Sequence, residues 1–392
     1  MGLTAFKKTD ISREIFLFSI LLYFAQGAFY PTGTIISQIA LLTIISISII
    51  FCIKVILSKS KKNISIWLWF LLFTLNILGF IFTFNYQNPY YFSQIKALLV
   101  FFLPFFSSYY LAKKGALEEK HFIRFLIIML LISILNFQFA KEIILESRIS
   151  DKTDLVNNTA YAFVVLIPYS LFFKRKLFSL LTIFIILLFI IQGAKRGAVI
   201  VGGLGALFFA YYMLKNIEKR HRLIGYLVAF VATASLSVFF YNYYMSNEFL
   251  LNRMAQISEG GSGRNIIYTN LLQAWYESGS IINYLFGHGF ASTLQLSGTG
   301  NFAHNDWLEL LTNFGFLGVF LYFSIFISFS RQALKSTNQR YKIMLLAVLT
   351  MWFLTTLFSM VYNNYSGIFY SILAGYLVAS IHKHKLEERN VY

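Results

Sequence analysis

The sequence predicts an all-α polytopic membrane protein. Of its 392 residues, 58% are hydrophobic and 19% aromatic, and only 12% are charged, whereas soluble domains carry about 25% charged residues. Apolar runs of about 18 or more residues recur along the whole chain, and each is long enough to cross a hydrocarbon core of about 30 Å. We therefore expect one integral membrane domain over residues 1–392.

The hydropathy pattern predicts about 12 membrane-spanning helices. Aromatic residues crowd the ends of the apolar segments, as they do in the interfacial belts of membrane proteins. The expected spans are 14–31, 34–53, 64–84, 94–112, 122–140, 155–173, 177–194, 197–214, 223–244, 307–329, 342–361 and 365–381.

The net charge of +17 indicates membrane topology, not a nucleic-acid partner. If the N-terminus is cytoplasmic, most basic residues fall on the connections that are then cytoplasmic, where membrane proteins concentrate Lys and Arg. The pattern predicts that both termini are cytoplasmic. The basic residues left for the outer face are Lys96, Lys141, Arg148, Lys152, Lys195, Arg196, Arg253 and Arg264.

Chemistry is expected on the outer face. The longest connection, residues 245–306 between the ninth and tenth predicted helices, lies there. Two of the six histidines, His288 and His304, share that face. The cytoplasmic connections are short and basic and contain no glycine-rich phosphate-binding loop. ATP-dependent chemistry is therefore not expected.

A short amphipathic helix is predicted within this outer connection. Gly260-Gly261-Ser262-Gly263 forms a flexible joint, and from Arg264 onward one helical face is apolar through Ile267, Leu271, Ala274 and Trp275. Such a helix is expected to lie on the membrane surface. Arg264 is either a solvated surface residue or, together with the free N–H groups of the first turn, an anion-binding group.

A basic pair, Lys195-Arg196, stands in a very short outer turn between two long apolar runs. Burying such a pair near the bilayer is costly unless it has an anionic partner. Two interpretations remain open. The pair either extends toward lipid phosphates, as interfacial cations do, or binds a phosphorylated lipid.

Residues 304–309 place an ionisable cluster at the start of the tenth predicted span. Asp306, followed three residues later by Glu309, fits a helix-capping pattern, with Asn305 beside it. His304 is not a capping residue, and no second His or Cys stands at metal-ligand spacing from it, so no metal is expected. A His at this position suits general-base catalysis. Gly287-His288-Gly289 is most simply a turn.

Together these motifs resemble the O-antigen ligase and polymerase family of bacterial membrane glycosyltransferases. That family shows a basic R-G turn, an outer loop with SGR before a Trp, then FGxG, then HNxxLxxLxxxGxxG at a helix start. Lys195 departs from the pattern, because the family often has Ser or Thr there. The matching stretches are Lys195-Arg196-Gly197, Ser262-Gly263-Arg264 with Trp275, 286–289 and 304–318, with a weaker match at 157–168.

The resemblance implies a GT-C-like fold in the bacterial cytoplasmic (inner) membrane, with the active site on the periplasmic or extracellular face. It implies transfer of a glycan from undecaprenyl pyrophosphate to an acceptor hydroxyl, with inversion and without a metal or other cofactor. The leaving pyrophosphate would be bound by Arg196 and Arg264, helped by Lys195 and Arg253. His304 would deprotonate or orient the acceptor, supported by Asn305, Asp306 and Glu309.

Two reactions share this chemistry. We favour a polymerase, which extends a polysaccharide repeat unit on a second lipid-linked acceptor; its other partners would be membrane lipids and a chain-length regulator. The alternative is a ligase that passes the polymer to the lipopolysaccharide core. A flippase or transporter of lipid-linked sugars is more distant, because no ionisable group falls in the middle of a predicted span. A non-catalytic scaffold is the remaining possibility.

Overall fold

The computed structural model describes residues 8–27, 29–30, 33–59, 62–83, 90–146, 156–215 and 264–391, with isolated positions between 223 and 246. Within these residues every regular element is helical. Short 3-10 helices cover Ile167–Phe172 and Tyr365–Gly367. The α-helices are α1 (Lys8–Gln26), α2 (Ile35–Leu57), α3 (Ile64–Phe82), α4 (Tyr91–Lys113), α5 (Glu119–Glu146), α6 (Ala160–Val164), α7 (Lys176–Gln192), α8 (Arg196–Lys215), α9 (Arg264–Tyr276), α10 (Ile281–Phe286), α11 (Thr293–Leu296), α12 (Asp306–Leu334), α13 (Gln339–Phe358) and α14 (Ile368–Val391).

In the described part of the chain, seven helices are long and apolar enough to cross a membrane: α2, α3, α4, α5, α8, α12 and α13. Each overlaps a predicted span, so the prediction of an all-helical polytopic membrane protein is confirmed. The number of 12 spans and the GT-C-like arrangement stay predictions.

The predicted span at 155–173 is wrong as a single helix. The structure has α6, a turn, and then the 3-10 helix Ile167–Phe172, which begins beside Pro168. Proline has no N–H to donate to the carbonyl four residues earlier, and its ring clashes with that carbonyl. An α-helix therefore ends before this position.

Helix α4 forms the centre of the bundle, and most of its side chains are buried. Its Phe101, Phe102 and Phe105 surround Trp69 of α3 with ring centroids 4.6–5.3 Å apart. Trp352 of α13 contacts the same cluster, 5.7 Å from Trp69. Between membrane helices such close packing supplies most of the attraction, because lipid tails are as apolar as the side chains.

Helix α12 bends sharply at Gly315, whose φ of 60° and ψ of −156° are outside the helical region. The bend removes the helical donors for the carbonyls of Thr312 and Asn313. These oxygens accept hydrogen bonds instead from the main-chain N–H groups of His288, at 2.8 Å, and Gly289, at 3.0 Å. Residues 287–289, for which a turn was expected, form a bend after α10, and their N–H groups complete the backbone pairing of α12.

The amphipathic helix predicted from Arg264 is confirmed as α9. Its apolar stripe packs against protein, because Ile267 and Leu271 are buried with Ala303 and Leu308. The connection 245–306 also holds α10 and α11, which were not expected from the sequence. The position of α9 on the membrane surface stays a prediction.

Candidate functional site

The first turn of α12 lies beside the last turn of α13. Asn305 caps α12: its side-chain oxygen accepts hydrogen bonds from the N–H groups of Trp307, at 2.9 Å, and Leu308, at 3.1 Å. The Asn305 amide donates to the Leu357 carbonyl at 3.4 Å, and the Trp307 indole donates to Thr356 at 2.8 Å. The expectation that Asp306 is the cap was therefore wrong by one residue.

Asp306 is fully buried and faces the segment that follows α13. One carboxylate oxygen accepts from the Val361 N–H at 2.8 Å; the other accepts from the Tyr362 N–H at 3.2 Å and the Tyr322 hydroxyl at 2.7 Å. The Trp352 indole donates in turn to Tyr322 at 2.9 Å. A carboxylate out of water needs donors of this kind. Asp306 therefore holds residues 361–362 against α12.

Glu309 is also fully buried, and it holds the loop before α12. Its carboxylate accepts from the Thr293 hydroxyl at 2.5 Å, the Ala303 N–H at 3.0 Å and the Asn313 amide at 3.2 Å. Thr293 belongs to α11, so this carboxylate joins α11, the loop and α12. Asp306 and Glu309 thus support the site by fixing its backbone.

His304 stands between two residues that are held in this way, Ala303 by Glu309 and Asn305 by α13. Its φ of 53° is in the left-handed region, which is uncommon for residues other than glycine. Its side chain is half-buried. Burial lowers the pKa of His304 below its usual value, and the positive charges of Arg264 and Lys195 lower that pKa further. The neutral imidazole is therefore favoured, and it can accept a proton.

Arg264, the first residue of α9, reaches the end of α13. Its Nη1 donates a hydrogen bond to the Phe358 carbonyl at 3.0 Å. The Tyr161 hydroxyl donates to the same oxygen at 3.3 Å. A cation is stabilised there, because the C-terminus of a helix carries partial negative charge.

The Lys195-Arg196 pair lies at the start of α8, directly before Gly197. Gly197 packs directly on Phe358 and Tyr161: a side-chain carbon at Gly197 would come within 2.8 Å of the Phe358 Cβ. The small residue after the basic pair thus permits a close approach of α8 to α13. Arg264, Gly197 beside Arg196 and Asn305 beside His304 thus all contact the end of α13, and the charges of Arg264 and Lys195 act on His304. Arg253 lies outside the described residues.

The arginines of this cluster have no carboxylate partner among the described residues. In the ranges that the structure describes, Arg196 and Arg264 form no ion pair. The ion pairs found there join Asp10, Glu14, Glu118 and Glu119 to Arg13, Lys120 and Arg340, at other places in the fold. Because Asp306 and Glu309 are turned into the protein, the cluster keeps positive charge that an anionic ligand can neutralise.

Four residues of this site were not predicted from the sequence: Tyr161, Phe358, Thr293 and Asn313. Tyr161 lies in the weakly matching stretch 157–168, which was a usable signal. Asn157 of that stretch is buried; its N–H donates to the Gly193 carbonyl at 2.9 Å and its amide to the Phe137 carbonyl at 3.0 Å. This stretch therefore positions the end of α7, two residues before Lys195. Phe358 takes part through its main-chain oxygen, which every residue type has, so no sequence pattern could have identified it.

Among the described residues, no three His, Cys, Asp or Glu side chains are grouped as ligands of one metal ion would be. Comparison of the sequence with protein-family models and with curated proteins finds no match. The family resemblance therefore rests on the order and spacing of the motifs quoted above.

Proposed function

We propose that this chain is a metal-independent, inverting glycosyltransferase that polymerises lipid-linked polysaccharide repeat units. One observation carries the proposal: three distant parts of the sequence meet at the end of α13. Arg264 donates to the Phe358 carbonyl, Gly197 beside Lys195-Arg196 packs on Phe358, and Asn305 beside His304 donates to the Leu357 carbonyl. The arrangement combines a binding place for an anion with a neutral imidazole, which are the two groups that this reaction requires.

The donor in this proposal is a glycan on undecaprenyl pyrophosphate. As the bond between the anomeric carbon and the pyrophosphate oxygen breaks, negative charge grows on the leaving group. One guanidinium group can bind two phosphate oxygens at once. Positive charges that are already in place stabilise the negative charge that grows on the leaving group. Arg264 and Arg196 take this role, assisted by Lys195 and, from the part of the outer connection that is not described, by Arg253.

The acceptor hydroxyl attacks the anomeric carbon from the side opposite the pyrophosphate, which inverts its configuration. His304 accepts the hydroxyl proton on an imidazole nitrogen during this attack. The lowered pKa of His304 keeps the imidazole unprotonated near neutral pH, so the base is ready before substrate binds.

The remaining parts of the proposal follow the charge distribution and the motifs. The enzyme belongs to the bacterial cytoplasmic (inner) membrane, crosses it about 12 times in a GT-C-like fold, and has both termini in the cytoplasm. The active site faces the periplasmic or extracellular side. Its acceptor is a second lipid-linked glycan, and a chain-length regulator is a further partner.

The test is a reconstituted assay with the full chain in lipid vesicles and a defined undecaprenyl pyrophosphate-linked repeat unit. We expect a ladder of lengthened lipid-linked glycans, unchanged by EDTA. Product that forms only after lipopolysaccharide core is added would replace the polymerase by a ligase. Movement of the lipid-linked sugar across the bilayer without a new glycosidic bond would indicate a transporter, and a requirement for divalent metal would contradict the chemistry.

A further inference from the structure

A second candidate site lies at the other end of the bundle. An open cavity of about 490 Å³ is lined by the end of α4, the start of α5, the start of α13 and the distal part of α14. Tyr341 of α13 lines it, whereas Phe358 of the same helix belongs to the candidate active site. Seventeen residues of helix separate the two positions by about 25 Å. The cavity is therefore distinct from the glycosyltransferase site, and the inference drawn from it does not depend on the proposed function.

Basic residues from three helices and from the connection before α7 surround this cavity. Lys120, Lys174, Lys383 and His384 line it. Arg340 stands beside it and pairs with the lining residue Glu119 at 2.9 Å. The other lining carboxylate, Glu118, pairs with Lys120 at 2.7 Å. Among the residues that the structure describes there, the three lysines and Arg340 outnumber the two carboxylates, which gives the cavity lining an excess of positive charge.

An apolar track leads away from the cavity along α5. Ile123 lines the cavity, and Ile127, Leu131 and Leu135 follow at intervals of four residues, which places them on one face of the helix. These three side chains are exposed by 48%, 58% and 49%. Because α5 is one of the membrane-spanning candidates, this face is available to acyl chains directly below the basic cavity.

We propose that this cavity binds the phosphate-bearing headgroup of an anionic membrane lipid, whose acyl chains lie along the exposed face of α5. Basic residues clustered in a concave site at the end of membrane helices are suited to lipid phosphate groups. The track of Ile127, Leu131 and Leu135 favours a lipid over a soluble phosphate compound, since a soluble ligand would gain nothing from it. By the charge pattern, the lipid belongs to the cytoplasmic leaflet.

The experiment is native mass spectrometry of the full chain in detergent, titrated with phosphatidylglycerol and, separately, with phosphatidylcholine of the same acyl chains. The wild type should bind one phosphatidylglycerol in preference to phosphatidylcholine. Each surface lysine contributes about a five-fold change in affinity for an anionic lipid. The double variant K174Q/K383Q should therefore bind about 25-fold more weakly.

Two further variants make the result specific. K174R/K383R keeps both positive charges and should bind phosphatidylglycerol like the wild type, which also shows that these positions tolerate substitution. Lys335 follows α12 on the same predicted face, outside the cavity lining, and K335Q should leave the binding unchanged. An equal loss in K335Q and K174Q/K383Q would overturn the site, because the effect would then be one of overall charge. Complete displacement of phosphatidylglycerol by millimolar inorganic phosphate would overturn the choice of a lipid.

Discussion

The guanidinium of Arg264 donates one hydrogen bond, at 3.0 Å, to the main-chain oxygen of Phe358, and this contact joins the outer connection to the end of α13. A guanidinium has five N–H donors. Within the described part of the chain no other hydrogen bond of this side chain is found, so one donor fixes the group and the others can meet a ligand. An arginine held in this way needs no rearrangement when charge develops on a leaving group.

The first prediction concerns the two arginines. Arg264→Ala and Arg196→Ala should each lower turnover about 100–1,000-fold, the usual effect of removing one preorganised charge contact. Lys at either position should restore only part of the activity, because an ammonium group cannot make the planar two-point contact with phosphate. The measurement is the rate of glycan lengthening in vesicles at equal amounts of inserted protein. Arg124→Ala, at an exposed position of α5, is the control; near-normal rates for both arginine variants would remove the pyrophosphate-binding role.

The second prediction separates His304 from the other predicted outer-face histidine. His304→Ala should lose turnover but keep binding of the lipid-linked donor, since the arginines remain. His288 supports the bend of α12 through its main-chain N–H, so His288→Ala should stay close to wild-type turnover. Donor binding and turnover are measured on the same preparations. If His304→Ala is active and His288→Ala is inactive, His304 is not the general base.

The third prediction is a pH dependence with a defined sign. Only neutral imidazole can accept the acceptor proton, so kcat/KM should rise with pH through the pKa of His304 and level off above it. Burial and the charges of Arg264 and Lys195 lower that pKa, which places the rise below about pH 6.5, the usual value for His. Lys195→Gln removes one of these charges. The rise should then move to higher pH, toward the usual value.

The measurement for this prediction is the pH profile of the activity that remains in Lys195→Gln, compared with the wild type. Lys335→Gln provides a control in which a lysine far from His304 is neutralised, and its profile should not move. A profile of Lys195→Gln that stays in place, or moves to lower pH, would exclude His304 as the titrating base.

Much of the fold follows from the sequence because it depends on local patterns. Apolar runs predicted the long helices, and the 267–271 stripe predicted α9. The bend at Gly315 was not predicted, since its cause is a main-chain contact with residues 288–289, far away in the sequence. The capping role was wrongly predicted for Asp306 because, here too, the deciding contact is distant in the sequence. Both residue types cap helices, and only the long-range contact with Val361 distinguishes them.

The fourth prediction uses this difference between Asn305 and Asp306. Asn305→Ala removes a cap and should lower the free energy of unfolding by about 1 kcal/mol. Asp306→Ala leaves several buried donors without an acceptor and should lower it by about 2–3 kcal/mol or more, because an unpaired buried donor costs about 1–3 kcal/mol. Asp306→Asn should fall between them, since the amide nitrogen cannot accept from the Tyr362 N–H.

This order is measured by unfolding the purified full chain in detergent with heat or with denaturant. Asp306→Glu is the matched control for charge. It keeps the carboxylate but lengthens the side chain, and should also destabilise the fold, because an extra methylene group in a fully buried site forces its neighbours to shift. An Asn305 variant less stable than the Asp306 variants would mean that the cap, and not the buried carboxylate, holds the start of α12.

The last prediction concerns the glycines that make the bend of α12. Gly315 has a backbone conformation that is essentially limited to glycine, and an added Cβ would come within 2.5 Å of the Leu285 carbonyl carbon. At Gly287, whose φ is 74°, a Cβ would lie 2.6 Å from the Asn313 oxygen. Gly315→Ala and Gly287→Ala should therefore each destabilise the fold by about 1–3 kcal/mol through strain and release α10 from α12. Gly203 of α8 is the control, because no described atom outside its own helix lies within 4 Å of an added Cβ there. Gly203→Ala should be neutral or stabilising by up to about 1 kcal/mol. Limited proteolysis between α10 and α11 and thermal unfolding measure the two effects together. If Gly315→Ala resists both treatments as well as Gly203→Ala does, α12 can straighten without loss, and the hydrogen bonds from residues 288 and 289 do not hold the outer connection in place.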